Sequence, residues 1–522
     1  MKSSSQTATT QESARDLELV VHRAGRGGMA VAVAKVYFIF AGLVQQILLP
    51  RVLGAAGYGG LSRVFSFTSI AYNSVVSTSI QGSSRAVARS PLPERNYVIR
   101  RVLRLHALAA LPIGLAIWLL APVAGHWLNA NHLIAAFRIM GGVFFFYALY
   151  SPVVGVLNGQ QRFIAQAGLD ISFATLRTAA LIGGAWWFTR HSGHGIEGAV
   201  WGFVLVSAIV TILAVFIAGV GKSGPTTLTN RQHLAFILPL LAGQILLNAL
   251  LQLDITLLGR FAADAADRAG IAVTHADSLV ASYRATQLFS FLPYQLLLSI
   301  TFILFPLLAQ AHRERKHQDV RLFIRSGIRI ALIVAGAIIS VTSGIPGALL
   351  RMVFAREIAE PAIRSMGLLT LGFGAFAIFG ILTTALTSLQ RERISALVTA
   401  LAVVLVISLA FIFVRGRPFG VDLLWRMAIA TSCGLVLATL AAGYFVYRTT
   451  GALVSHWCIL RVATALATAI GIGRLSSPHG LLRTLVTAAC IAIVYFVVLV
   501  VARELSRADW SRLTAIVRRR PA

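Results

Sequence analysis

The chain reads as an all-α polytopic membrane protein with about 14 transmembrane helices. Three observations predict this. Of its 522 residues, 57% are hydrophobic and only 12% are charged. Its mean hydropathy is +0.79. Its apolar residues fall in continuous runs of about 20, the length a helix needs to cross roughly 30 Å of hydrocarbon. A soluble chain could not bury that much apolar surface, and a transmembrane barrel would alternate rather than run continuously.

In order, the runs are 27–50, 61–84, 102–125, 133–157, 167–189, 196–220, 234–258, 279–308, 327–350, 365–389, 394–414, 423–447, 455–473 and 483–502. The first exceeds the roughly 7–15-residue core of a cleaved signal peptide, so it is expected to be a retained helix behind a polar tail, 1–26. The polar stretch 222–232 reads as a linker between two lobes, 27–221 and 233–449, with two further helices in 450–502 and a basic tail in 503–522. The lobes echo each other. Leu53-Gly54, Tyr58 and Phe65-Ser66-Phe67 recur as Leu258-Gly259, Tyr283 and Phe289-Ser290-Phe291, and Gln161-Arg162 recurs as Gln390-Arg391. This suits two pseudo-symmetric six-helix lobes, since transporters are often internally repeated.

The net charge of +28 does not indicate a nucleic-acid partner, because the bases gather in alternate loops. Arg85 to Arg101, Arg313 to Arg325, Arg391 with Arg393, and Arg503 to Arg520 alternate with poorer loops, and the loop around His126 and His132 has no Lys or Arg. This positive-inside bias places both termini in the cytoplasm and requires an even number of spans. The C-terminal tail, with Trp510, Leu513 and Ile516 among arginines, suits an anionic inner leaflet. The largest outer loop is expected at about 260–278. No loop would hold a soluble catalytic domain, and no G-x-x-x-x-G-K-[ST] motif is present to bind ATP. Cys433, Cys458 and Cys490 fall within helices, where packing is the expected role. His191 and His194 lack a third metal ligand nearby and read as a solvated loop.

Charges within the spans point to function. A cation in hydrocarbon costs about 2.5–3.5 kcal/mol on insertion scales, so it faces a cavity, a partner or an anionic ligand. Lys35 lies about a third of the way in from the cytoplasmic side, where its stem could also snorkel. Arg177 is too central for that. Asp170 shares the face of Arg177 about 10 Å away by helix rise, so the two could share a cavity without pairing. Arg63, at the start of the second run, Arg138 in the outer part of the fourth, and Arg461 in the thirteenth are placed to snorkel. Asp254 and Arg284 would lie toward the outer ends of adjacent helices, either as a structural ion pair or with Asp254 as a coupling carboxylate for H⁺ or Na⁺. Ser62, Ser66, Ser69, Asn73, Ser77 and Gln81 make a polar stripe at helical spacing, and Tyr283, Gln287, Ser290 and Tyr294 make another. Either stripe could serve helix packing or a polar cargo.

Three segments carry a family resemblance. ILLPRVLGAAGYGGLSRVFSF (47–67) has Arg51, Leu53, Gly54, Tyr58 and Gly59 in an Arg-x-Leu-Gly-x-x-x-Tyr-Gly pattern. LPLLAGQILLNALLQLDITLLGRF (238–261) has Pro239, Asp254 and Gly259. SYRATQLFSFLPYQLLLSITFILFPLLAQ (282–310) has Tyr283, Pro293 and Pro306. With VLNGQQRFIAQA (156–167), the chain resembles the polysaccharide-unit flippases of the multidrug/oligosaccharidyl-lipid/polysaccharide exporter superfamily over most of 27–449. The resemblance implies translocation of undecaprenyl-pyrophosphate-linked repeat units from the inner to the outer leaflet of the bacterial inner membrane. It also implies rocking of one lobe against the other, and partners such as a polysaccharide polymerase and a chain-length regulator. Lys35, Arg63, Arg138, Arg177, Arg284, Asn73 and Gln287 would then meet pyrophosphate and sugar, and Asp254 and Asp170 would be the ion-coupling candidates. No cofactor or metal is expected. Arg284 does not match the position of the arginine that the lipid II flippase branch carries in its eighth helix, so the two are not equated. The alternatives are a lipid II flippase, an exporter of cationic drugs, which a cationic cavity disfavours, and a polytopic polymerase, for which no outer loop is long enough.

Overall fold

The structure, a computed structural model, describes residues 3–476 and 478–505, with side chains from 29 onward apart from 32, 298, 299, 302 and 303. The tail bearing Trp510, Leu513 and Ile516 lies outside the described residues. Every predicted run is helical. In chain order, the helices are α1 (Ser3–Arg89), α2 (Arg95–Trp127), α3 (Ile134–Gly159), α4 (Phe163–His191), α5 (Gly195–Ala218), α6 (Asn230–Arg268), α7 (Val273–Ser290), α8 (Leu292–Arg313), α9 (His317–Gly344), α10 (Pro346–Val353), α11 (Arg356–Ser388), α12 (Glu392–Phe413), α13 (Asp422–Thr450), α14 (His456–Leu475) and α15 (Leu481–Val501). Among the described residues, 11 of these are long and apolar enough to cross a membrane. The difference from 14 has a simple source: α1 holds two predicted runs and counts once, while α4 and the α7–α8 pair carry more polar or interrupted sequence. The chain is a multi-pass membrane protein.

Three expectations change. The first and second runs are one helix, α1, bent at Gly54 (φ 68°, ψ −179°), a left-handed-side conformation that costs glycine little. Two runs are each two helices: the ninth, 327–350, is split at Ile345 between α9 and α10, and the eighth is broken at Phe291. Pro293, in the first turn of α8, cannot donate to the carbonyl of Phe289, and its ring would crowd that carbonyl in a continuous helix. The expected 20-residue outer loop is mostly helix. Its alanine-rich sequence (FAADAADR) carries α6 on to Arg268 through high helix propensity. α6 then closes with Gly270 at φ 67° and Ile271 N–H on the Ala266 carbonyl.

The chain forms two compact units. Unit 1 is Met1–Gly57 with Phe67–Asn248, and unit 2 is Tyr58–Ser66 with Ala249–Ala522. Within unit 1, α3 packs on α2 and α5, and α4 on α5. Within unit 2, α11 is the hub against α7, α8, α9 and α13, while α14 and α15 pack on each other and on α9. Phe373, Phe376 and Met366, all 1% exposed or less, make the buried spine of α11.

α3 in unit 1 and α11 in unit 2 end in the same way. Gln161 and Gln390 each take φ 60°. Arg162 N–H reaches the Leu157 carbonyl, and Arg391 N–H the Leu386 carbonyl, both at 2.9 Å. This six-to-one closure satisfies carbonyls that the helix leaves orphaned. The repeated Gln-Arg pair of the sequence is therefore a repeated helix cap. Of the three cysteines, Cys458 is buried, whereas Cys433 and Cys490 are exposed on their helices rather than packed inside.

Candidate functional site

In unit 1 the spanning charges gather where α1 meets α4. Tyr37 Oη and Thr175 Oγ1 share a hydrogen bond of 2.8 Å, and Thr178 Oγ1 donates to the Ala41 carbonyl at 3.3 Å. These contacts set Lys35 beside Asp170, with Nζ and Oδ2 3.8 Å apart. Sequence reasoning placed Asp170 with Arg177 but did not anticipate this contact. The pair is loose. Asp170 Oδ2 accepts no hydrogen bond, and the Lys35 side chain is 66% exposed. Two turns further along α4, about 10 Å by helix rise, Arg177 lies half-buried with its guanidinium 4.5 Å from the centroid of Phe203. This cation–π contact leaves the buried Nε without an acceptor.

An aromatic wall backs these charges. Tyr147 on α3 packs against Tyr72, Phe173 and Phe203, with centroids 5.5–5.7 Å apart, and Tyr150 stacks on Phe173 at 5.9 Å. Two more buried polar atoms without partners lie on the same elements: Tyr150 Oη, and Gln166 Oε1 one turn before Asp170. Nearly all buried polar atoms in folded proteins are hydrogen-bonded. Four orphans on α3 and α4 therefore single out this group as the candidate site for a polar ligand. Sequence reasoning missed Tyr147, Tyr150 and Gln166. The run FFFYALYSP (144–152) was the available signal, two tyrosines three apart in an otherwise apolar span. Asn73 is half-buried on α1. Arg138 is exposed, 5.3 Å from the Trp118 ring, and stands apart from this group.

In unit 2 the charges are satisfied. Arg63 was expected to snorkel but is 2% exposed, with Nη1 2.7 Å from Asp277 Oδ1, itself 2% exposed. Asp277 falls in the expected outer loop, but α7 begins at Val273 and takes it in. Two glycines make this fit. A Cβ on Gly59 would stand 1.7 Å from the Asp277 carbonyl oxygen, and one on Gly259 would stand 2.8 Å from Arg63 Nε. The glycines that carried the family resemblance thus admit a buried ion pair.

Asp254 is wholly buried. Its Oδ1 accepts from the Ile255 N–H at 2.8 Å. Its Oδ2 accepts from Gln287 Nε2 at 2.8 Å and Tyr283 Oη at 3.2 Å. Arg284 Nη1 donates to Gln287 Oε1 at 3.0 Å. The expected direct Asp254–Arg284 pair is therefore a relay through Gln287, which lies one turn from Arg284 on α7.

A third group ties the far end of unit 2. Glu504 accepts from Arg329 Nε at 2.8 Å and Arg461 Nη1 at 3.1 Å, and Arg329 Nη2 also meets its carbonyl. Arg461 is thus paired rather than snorkelling. Burial alone would raise the Glu504 carboxyl; hydrogen bonds from Arg329, Cys458 and Arg461 prevail and hold it below the usual carboxylate value.

A family model described as "Polysaccharide biosynthesis protein" matches residues 24–312. No curated protein matches the chain in sequence. The fold is similar to that of the lipid II flippase MurJ in an inward closed conformation, with a TM-score of 0.73, 13% identity, and coverage of 91% of this chain and 99% of that one. It is also similar to an inward-facing multidrug resistance MATE family transporter of the MOP superfamily (TM-score 0.63, 16% identity, 79% and 95% coverage). A MOP superfamily transporter from Pyrococcus furiosus, described as having a binding pocket of reverse polarity, gives 0.58, 17%, 82% and 95%. These relatives are transporters and flippases rather than enzymes.

Proposed function

We propose, for a chain that belongs to the polysaccharide biosynthesis protein family, that it flips undecaprenyl-pyrophosphate-linked oligosaccharide units from the inner to the outer leaflet of the bacterial inner membrane. Both termini would be cytoplasmic, and the product would feed a polymerase and its chain-length regulator. The observation that carries this reading is the unit 1 group in which Lys35 stands 3.8 Å from Asp170 and Arg177 lies about 10 Å beyond Asp170 along α4, with unsatisfied Asp170, Gln166 and Tyr150 on the same elements. A pyrophosphate leaving water needs cations and donors in its place, and sugar hydroxyls need both donors and acceptors. Lys35 and Arg177 supply the first as successive stations. The amide, phenol and carboxylate supply the second, with tyrosine and phenylalanine faces for the sugar rings to stack on.

Alternating access would move the cargo, driven by H⁺ or Na⁺ at a carboxylate. Asp170 suits this role better than Asp254, because its Oδ2 has no hydrogen bond to lose, whereas Asp254 already accepts three. Proteoliposomes loaded with a fluorescent lipid-linked oligosaccharide provide the test. Externally added glycosidase or dithionite should reach the lipid faster when the protein is present, and Arg177→Gln should remove most of the gain. Equal rates with and without protein would end the proposal. A second reading, a lipid II flippase, is favoured by two observations: α14 and α15 are present and packed on α9, and the MurJ fold is covered almost entirely. The same assay with lipid II separates the two.

A further inference from the structure

Unit 1 holds a second polar site on different residues. A cavity of about 390 Å³ lies among the end of α1, the segment after it, the chain before α6 and the first turn of α6; Arg85, Arg89, Ser90, Thr227, Gln232 and His233 supply its polar lining. That volume falls within the range of small-molecule pockets, about 300–1,000 Å³. None of the lining residues is acidic. No carboxylate pairs with Arg85 or Arg89 among the described residues.

The walls are organised. Glu94 accepts from both the N–H and the hydroxyl of Thr227 at 2.9 and 3.0 Å, which pins the chain before α6. Thr229 and Gln232 cap α6 reciprocally: Thr229 N–H donates to Gln232 Oε1 at 3.0 Å, and Gln232 N–H to Thr229 Oγ1 at 3.2 Å. This capping box fixes the helix start, whose dipole favours an anion. The Arg85 guanidinium stacks 3.8 Å above the Phe236 ring, so its N–H edges stay available for in-plane, bidentate bonding. His233 is 4% exposed, packs edge-on to His106 at 5.7 Å, and has a buried Nε2 with no hydrogen-bond partner. A buried imidazole nitrogen lining a basic cavity, with nothing of the protein to bond, is the group that calls for a ligand.

We propose that this cavity binds a phosphate-bearing anion, clamped by the Arg85 and Arg89 guanidinium groups and met at its inner end by His233 Nε2–H. The chemistry is that of a phosphate or pyrophosphate group, whether soluble or carried by a lipid. The inference stands on the cavity and does not depend on the flippase reading. Unit 2 also has a basic cavity, of about 550 Å³ and lined by Arg321, Arg391 and Arg448. Its arginines are exposed and Arg321 is already spent on the Thr450 carbonyl, so it lacks the buried unpartnered group.

The test uses the full chain in nanodiscs. In neutral phosphatidylcholine discs, titrated inorganic pyrophosphate should raise the thermal unfolding midpoint and bind measurably by calorimetry. Arg85→Gln with Arg89→Gln should weaken that binding at least tenfold, and His233→Phe should weaken it less. His233→Asn, which keeps a donor, should restore part of it, and Arg356→Gln, outside the cavity, should bind as the unaltered protein does. Discs containing phosphatidylglycerol then identify the source. Loss of pyrophosphate binding there assigns the cavity to a lipid headgroup; unchanged binding assigns it to a soluble anion. Unfolding midpoints in neutral discs without added anion separate folding defects from binding defects, and Arg85→Lys, which keeps charge but loses the planar fork, should bind in between. Pyrophosphate affinity unchanged in the double variant, or no effect of either pyrophosphate or phosphatidylglycerol on the unaltered protein, would overturn the proposal. Either result would leave the transport assay untouched.

Discussion

The two units bury charge by opposite rules. In unit 2, Arg63 and Asp277 meet at 2.7 Å with 2% of each exposed, and Asp254 accepts three hydrogen bonds. In unit 1, Lys35 and Asp170 stand 3.8 Å apart, and Asp170, Arg177, Gln166 and Tyr150 each keep a buried atom without a partner. A closed pair at low dielectric repays its desolvation only with good geometry and further bonds. An open set leaves that cost standing unless a ligand removes it. The first arrangement is a fastening; the second keeps polar atoms unpaired, as the proposed binding surface requires. Charge within a span is therefore not by itself a sign of function; its degree of satisfaction is what separates the two roles.

The sharpest way to break this contrast is to strand one charge of the fastening. Asp277→Ala should destabilise the protein by about 3–5 kcal/mol, because Arg63 would stay buried without its partner. A lowered thermal midpoint and poor recovery in detergent would show it. Replacing both residues with Met and Leu should restore most of the midpoint, and a double variant that folds but cannot flip would give the pair a role in transport. Arg177→Gln should do the reverse, slowing flipping about 10–100-fold, or roughly 1.4–2.8 kcal/mol, with the midpoint almost unchanged. Gly59→Ala should cost about 1–3 kcal/mol through overpacking against the Asp277 carbonyl, with no separate effect on flipping per folded molecule. Lys35→Gln should slow flipping only a few-fold, because the exposed ammonium shares its role with solvent; a few-fold change is less than about 1.4 kcal/mol. The smallest effect concerns Glu504. Its folded carboxyl titrates below its unfolded value, so its contribution to stability is fully present above the unfolded value of about 4.3 and is lost as pH falls through the lower folded one. Thermal midpoints of the unaltered protein and Glu504→Gln should therefore differ at neutral pH and converge in acid.

Much of this fold is legible in the sequence, because apolar runs and a repeat of short words are local signals. All 14 runs are helical, and the Gln-Arg echo marks equivalent caps. The misreadings come from effects of longer range. Asp277 reads as solvated because it falls before the apolar run that starts at 279, whereas α7 already begins at Val273. Arg63 looked able to snorkel because its partner lies 214 residues away. Asp254 and Arg284 were correctly placed as neighbours, but the amide of Gln287 between them is a matter of rotamers that spacing does not encode. Lys35 and Arg177 were visible from the cost of cations in hydrocarbon alone. The tyrosine wall beside them was not, because tyrosine in an apolar span carries no comparable penalty.

The left-handed caps offer a practical handle for preparing the protein. Gln161 and Gln390 hold φ 60°, a region that costs a residue with a Cβ roughly 1–2 kcal/mol and glycine almost nothing. Glycine at each should relieve part of that strain, less the entropy it returns to the unfolded chain. The two sites lie in separate units, so their gains should add. A Gln161→Gly, Gln390→Gly double variant is thus a candidate for longer survival in detergent, obtained at two loop tips far along the sequence from Lys35 and Asp254.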